Sequence, residues 1–170
     1  MDPRKKGLAG VIVGQTALSR VDGIQSELRY RGYNVDELIQ GSFEETCFLL
    51  LYGRLPAAGR LQRFCEELAS YRRVAADVLD FICRTARRDS PMAVLRTAVS
   101  MLSSSLLPCE HEGNRELDAA AIRMEKAKAL IAKTATLVAA IGRARQDLPP
   151  LDSQPRLGHA ANFFAMLQDS

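Results

Sequence analysis

Tryptophan is missing altogether from these 170 residues, and glycine (11) and proline (7) are sparse. That balance excludes collagen-like and low-complexity chains. Sustained apolar runs are lacking too. The longest, Cys47 to Tyr52, is far too short to cross a bilayer, so no membrane association is expected. Neither sign of charge dominates: 23 Lys plus Arg against 20 Asp plus Glu leave a net charge of +3, too little to imply a polyanionic partner. Basic residues do gather between Arg60 and Arg88, but Glu66, Glu67, Asp77 and Asp80 are mixed among them. Such mixing reads as a solvated helix face rather than a nucleic-acid surface.

Several chemical signatures are absent as well. The four cysteines, Cys47, Cys65, Cys83 and Cys109, form no CxxC pair. Three of them fall on apolar helix faces, where a thiol acts as a small hydrophobe, so reduced core cysteines without disulfides are expected. Cys109 and His111 stand two apart, yet no further ligands with supporting spacing accompany them, and no metal site is expected. There is no Gly-rich phosphate loop, no Ser/His/Asp arrangement and no repeat of fixed period. The opening Met1-Asp2-Pro3-Arg4-Lys5-Lys6 leads into no apolar segment of signal-peptide length, so a soluble, cytoplasmic protein is expected.

What is present is helical periodicity. Hydrophobic content of 47% with 25% charged residues suits a soluble globular domain, and the length suits a single domain over residues 1–170. Val11-Ile12-Val13, between Gly10 and Gly14, reads as a short strand paired with Leu28 to Tyr30 in a small antiparallel ribbon. Asn34 can cap a short helix through Ile39. Ser42 and Glu45 have the spacing of a capping box, with Phe43, Cys47, Leu50 and Leu51 as the apolar stripe behind it. Gly53 suits a left-handed stop, and Pro56 sits where helix cannot continue.

Downstream, Leu61, Phe64, Cys65 and Leu68 form one stripe, and Val78, Leu79 and Ile82 another, ending in bases from Arg84 to Arg88 suited to a helix C-terminus. Ser90 is an N-cap followed by Pro91 in the first turn, and Leu95, Ala98, Val99 and Leu102 then face one way. Ser103 to Arg115 is a loop by its breakers. A long helix runs from about Glu116 to Arg143, with Leu130, Thr134, Leu137, Val138 and Ile141 as its stripe. After the proline-rich stretch Asp147 to Pro155, a last helix opens near Pro155 and carries Ala160, Phe163, Phe164 and Leu167. The fold class is mostly α, with a small antiparallel β-ribbon at the start.

Three blocks in this order carry a resemblance: Glu27-Leu28-Arg29-Tyr30-Arg31-Gly32-Tyr33, Ser42-Phe43-Glu44-Glu45, and Leu50-Leu51-Tyr52-Gly53-Arg54-Leu55-Pro56. Together they resemble the N-terminal signature of citrate synthases and 2-methylcitrate synthases. Upstream, Gly7, Leu8, Gly10, Val11, Thr16, Ser19, Asp22 and Gly23 match the family's opening pattern. Ser26 departs from it, since the family commonly has glycine there, and a positive φ at that turn would strain a serine. SPMAVLRTAVS, Ser90 to Ser100, is similar to the next family block except that Ser90 replaces a histidine, and AKTATLVAA resembles a later one.

The resemblance implies the first part of the large helical citrate synthase domain, with the smaller catalytic and CoA-binding domain absent. It also implies a reaction: condensation of acetyl-CoA or propionyl-CoA with oxaloacetate, of the tricarboxylic acid cycle type, needing no cofactor beyond the acyl-CoA substrate. Gly158-His159-Ala160-Ala161-Asn162-Phe163 looks like the family's SHAANF block, whose histidine binds oxaloacetate. That role carries over to His159. From the residues alone, His159 is either a helix-end histidine bonded to backbone or a donor to a substrate carboxylate or keto oxygen. The family's base, its two working histidines and its substrate arginines lie beyond Ser170, so no catalytic residue is assigned. By the same resemblance the partners are a second copy, in a homodimer, or a complementing C-terminal half. An alternative reading is a non-catalytic helical interaction module, or one subunit of a split enzyme. Leu95, Ala98, Val99 and Leu102 are the candidate surface for association.

Overall fold

The computed structural model describes residue 12, residues 14–104 and residues 119–168. A three-stranded antiparallel ribbon comes first: β1 (Ser19–Asp22), β2 (Glu27–Tyr30) and β3 (Tyr33–Asn34). Ser19 lies opposite Tyr30, and Asp22 opposite Glu27. The Asp22 carboxylate closes the first turn by accepting from the backbone N–H groups of Ile24 (3.1 Å) and Gln25 (3.0 Å). Ser26 sits in that turn at φ 54°, the left-handed conformation that a glycine would adopt without strain. Arg31 and Gly32, at φ 50° and 92°, form the two-residue turn between β2 and β3 that matches strand twist.

The strand expected over Val11-Ile12-Val13 is not the partner of β2. Ser19–Asp22 is, because the turn-forming Asp22 and Gly23 fix the hairpin register. Of the expected strand, Val11 and Val13 lie outside the described residues, and Ile12 is exposed and unpaired. The loop from 105, with Cys109 and His111, and the start of the long helix through residue 118 also lie outside them.

Seven α-helices follow among the described residues: α1 (Val35–Leu38), α2 (Phe43–Tyr52), α3 (Ala58–Tyr71), α4 (Ala76–Thr85), α5 (Pro91–Met101), α6 (Ala119–Ala144) and α7 (His159–Leu167). Their ends obey local chemistry. Asn34 caps α1, Ser42 and Glu45 complete the capping box of α2, and Gly53 ends α2 at φ 78°. Ser90 caps α5 by accepting from the Ala93 N–H, with Pro91 in the first turn. The serine that stands where the family has histidine is thus the N-cap.

α6 is the axis of the bundle. Its buried residues, among them Ala129, Ala132, Thr136, Leu137, Ala140 and Ile141, face more than one neighbour, so a single stripe does not describe it. The expected stripe is correct at Leu137 and Ile141, whereas Val138 is 37% exposed. On one side Val78 and Ile82 of α4 and Val94, Ala98 and Leu102 pack against Leu137, Ala140 and Ile141. On another, Phe48 of α2 and Phe64 and Leu68 of α3 close over Ala132. The alanines keep the axes near, and each large aliphatic or phenyl group so buried contributes about 1.5–3 kcal/mol.

Three expected faces are turned differently. In α2 the buried residues are Glu44, Phe48 and Leu49, while Phe43 is 46% exposed. In α5, Ala98 and Leu102 are fully buried and Leu95 and Val99 pack against the same core, so this stripe is not an open association surface. α7 begins at His159 rather than near Pro155, because residues 155–157 form a turn. Its buried face is His159, Asn162 and Met166, with Phe164 59% exposed. In α2 and α7 the cause is shared: a helix packed on two neighbours hides polar residues that a hydrophobicity count assigns to solvent. Cys47 and Cys65 are half-buried thiols as expected, but Cys83 is exposed.

Candidate functional site

His159 opens α7 and is buried. Two neighbouring residues of α2 hold it. The Glu44 carboxylate accepts a 2.6 Å hydrogen bond from the His159 backbone N–H, and the Phe43 ring stacks on the imidazole with centroids 4.5 Å apart and planes 12° from parallel. Stacking occupies the ring face and leaves the two nitrogens at the edge. His159 Nδ1 has no hydrogen-bond partner among the described residues. Glu44 itself is only 6% exposed, although it stands in the first turn of its helix.

Arg72, immediately after α3, completes the charged node and is 2% exposed. Its Nη1 donates to the carbonyls of Gln154 (3.1 Å) and Leu157 (2.9 Å), which pins the segment leading into α7. From within α7, Asn162 Oδ1 accepts from the Gln154 N–H at 2.7 Å, and Arg143 Nε donates to the Pro149 carbonyl at 2.6 Å. Lys133 donates through Nζ to the Arg73 carbonyl, and Thr136 donates to that of Arg72 at 2.9 Å, tying this turn to α6. The backbone leading to His159 is therefore held from α3, α6 and α7 together.

The electrostatics favour a neutral imidazole. Burial lowers the His159 pKa below its ordinary value of 6.5, the Arg72 charge lowers it further, and Glu44 opposes both. Burial likewise depresses Arg72, against Glu44 and Cys65. The Cys47 thiol is pushed up to about 11 by burial and then by Glu44, so it is not a thiolate nucleophile at neutral pH. Beside the imidazole an open apolar groove of about 550 Å³ runs between Phe43, Leu130, Thr134, Val138 and Phe163. Among the described residues, no group of three or more His, Cys, Asp or Glu could hold a metal ion. No described helix is long and apolar enough to cross a membrane.

The sequence singled out His159, and it lies at the centre of this cluster; Cys109 and His111 fall outside the described residues. The sequence does not mark Glu44 or Arg72 as part of that cluster. Glu44 lies within a capping sequence, and Arg72 is one base in a mixed-charge run. The one local signal was Gly158, an N-cap without a side chain, which leaves the first turn of α7 to be capped from elsewhere.

A solved citrate synthase from Pyrobaculum aerophilum follows the same path, with a TM-score of 0.81 and 30% identity over 94% of this chain and 41% of that one. The fold is thus that of a helical domain of the citrate synthase type. The profile of the family described as citrate synthase, C-terminal domain, matches residues 7–170, and the chain belongs to the citrate synthase family. Citrate synthase from Haloferax volcanii is 38% identical over 165 residues, 96% of this chain and 43% of that protein. A 2-methylcitrate synthase from Mycobacterium tuberculosis (strain ATCC 35801) is 40% identical over 163 residues, 95% of this chain and 39% of that protein. The chain spans about two-fifths of the length of these curated relatives.

Proposed function

We propose that this chain is the oxaloacetate-positioning portion of a citrate synthase-type acyltransferase, which condenses acetyl-CoA or propionyl-CoA with oxaloacetate in the cytoplasm. The observation that carries the reading is the imidazole of His159, buried and favoured in its neutral form, with Nδ1 lacking a partner among the described residues. A buried polar nitrogen ordinarily has a partner, and an oxaloacetate carboxylate or keto oxygen is one that a protonated ring nitrogen can serve. Fixing the electrophile supplies orientation, one component of the rate enhancement.

Orientation is not enough by itself. Condensation also needs a base for the thioester α-proton and donors for the developing oxyanion, each contributing roughly a hundredfold or more. In the family those groups lie in blocks after the one matched by His159. That order supports placing residues 1–170, as one domain, in the N-terminal portion of a whole enzyme. A complementing C-terminal portion, or a homodimer that includes one, then completes the active site. The decisive measurement is CoA release by the 170-residue chain, with and without a C-terminal half of a citrate synthase. The chain alone is expected to release none. With turnover restored, His159→Ala is expected to raise the KM for oxaloacetate about tenfold or more, the loss of roughly one charge-assisted hydrogen bond. Robust release by the chain alone, or unchanged oxaloacetate kinetics in the variant, refutes the assignment.

The second reading, a non-catalytic interaction module, draws on the apolar groove beside Phe43 and Val138 and on Phe164, which is 59% exposed. An apolar surface of this kind favours burial against a partner. Light scattering at tens of micromolar, on the order of common association constants, tests it. Self-association that Val138→Asp abolishes, with no CoA release even in the presence of a C-terminal half, supports the module, and a strict monomer counts against it.

A further inference from the structure

The geometry points to Glu44 as the positioning residue of this site: a buried carboxylate from α2 accepts from the first N–H of α7, whose N-cap has no side chain, and so fixes where His159 stands. The inference rests on the reading of His159 as the oxaloacetate partner.

A helix start leaves N–H groups without intrahelical acceptors, and these are usually met by the side chain of the N-cap residue. Gly158 occupies that position in α7 and has none to offer. Glu44, 115 positions away in sequence, supplies the acceptor at 2.6 Å. A Cβ on residue 158 would lie 3.4 Å from the same carboxylate oxygen, at the edge of ordinary contact, so the carboxylate sits directly against the start of the helix. Burying a carboxylate is costly unless charge and donors meet it. Here the N–H of His159, the positive end of α7 and the Arg72 guanidinium do so.

A serine or aspartate at position 158 would cap the second or third N–H of α7 and leave that of His159 unmet. What Glu44 adds is linkage to α2, whose preceding residue, Phe43, stacks on the imidazole. Two consecutive residues thus grip the backbone and the ring of one histidine. Their own position is set by the Ser42–Glu45 capping box at the start of α2. α7 carries no charged side chain, so the charges bearing on the imidazole come from Glu44 and from Arg72 at the end of α3.

The test uses the whole chain, ¹⁵N-labelled, with His111→Asn, which leaves His159 as the one remaining histidine of two. Long-range ¹H–¹⁵N spectra read its tautomer and titration midpoint, and amide exchange reads its backbone N–H. Glu44→Gln keeps the shape and an acceptor, so exchange protection is retained while the midpoint moves down with the loss of the negative charge. Glu44→Ala removes both, so the amide exchanges about tenfold faster or more and the ring samples both tautomers. Midpoint, tautomer and exchange that stay unchanged in both variants overturn the proposal; if Glu44→Ala does not fold, the midpoint of Glu44→Gln decides alone. In a complemented enzyme, Glu44→Ala raising the KM for oxaloacetate with kcat nearly preserved, while Glu44→Gln stays near the parent, supports the positioning role. Faster exchange and mixed tautomers in Glu44→Ala without any change in oxaloacetate kinetics support the cap while overturning His159 as substrate partner.

Discussion

Arg72→Met removes the guanidinium while keeping most of the side-chain stem. Two bonds from a charged donor to the Gln154 and Leu157 carbonyls are lost, each contributing roughly 1.5–3 kcal/mol. Against that sum of about 3–6 kcal/mol stands the desolvation of a cation that is 2% exposed, which the variant no longer bears. Glu44, itself 6% exposed, then loses the cation beside it, which adds to the cost. The net expectation is a loss of about 2–4 kcal/mol, a large share of the stability of a domain this size. Urea unfolding with an unchanged m value measures it, and limited proteolysis within residues 149–158 shows whether the segment has been released. The His159 titration midpoint should also rise, because the Arg72 charge helps to hold it down. A loss under about 0.5 kcal/mol with intact proteolytic protection refutes the argument, since exposed or offset contacts cost no more than that. Asn162 and Glu44 would then hold the segment unaided.

Ser42→Ala should cost about 1 kcal/mol, the usual worth of an N-cap, measured as a shift in the urea midpoint. Ile82→Ala, at a fully buried position between α4 and α6, should cost about 2–5 kcal/mol by the same assay. The burial-depressed pKa of His159 gives a pH dependence whose sign is fixed. The unfolded chain takes up the proton first as pH falls below 6.5, so this contribution is whole above 6.5 and is lost as pH falls through the folded pKa. Urea midpoints at pH 7.5 and 5.5 should differ less in His159→Gln than in the parent protein.

The parts of the fold written in short-range chemistry were legible. Asn34, Ser42 with Glu45, Gly53 and Ser90 with Pro91 act within a few residues of themselves, and each does what its spacing promised. Ser26 at φ 54° is the strain anticipated from its departure from glycine. Orientation was not legible to the same degree. The Phe43–Leu51 and Ala160–Leu167 stripes place the apolar residues on one face, which predicts that face as the buried one. α2 instead buries Glu44, and α7 buries His159 and Asn162. Hydrophobic periodicity measures the difference between two faces, and a face whose polar groups are satisfied by another helix gives no such difference.

That limit explains why the site was seen as one residue and is several. His159 was found through a sequence block, a local pattern. Glu44 and Arg72 reach it across 115 and 87 positions, and nothing near either residue marks a carboxylate or guanidinium destined for burial. The trace they leave is negative: Gly158 cannot cap the helix it begins, and a Cβ on Gly142 would lie 2.8 Å from Leu167 Cδ1, which would have to turn aside. Both glycines mark surfaces where α7 is approached closely, by a carboxylate at its start and by α6 near its end. A glycine of this kind constrains its neighbours rather than its own backbone, since neither has a positive φ. The position of the imidazole is therefore decided by what α7 lacks at its first turn, and Glu44 fills that gap from the helix whose Phe43 already lies on the ring.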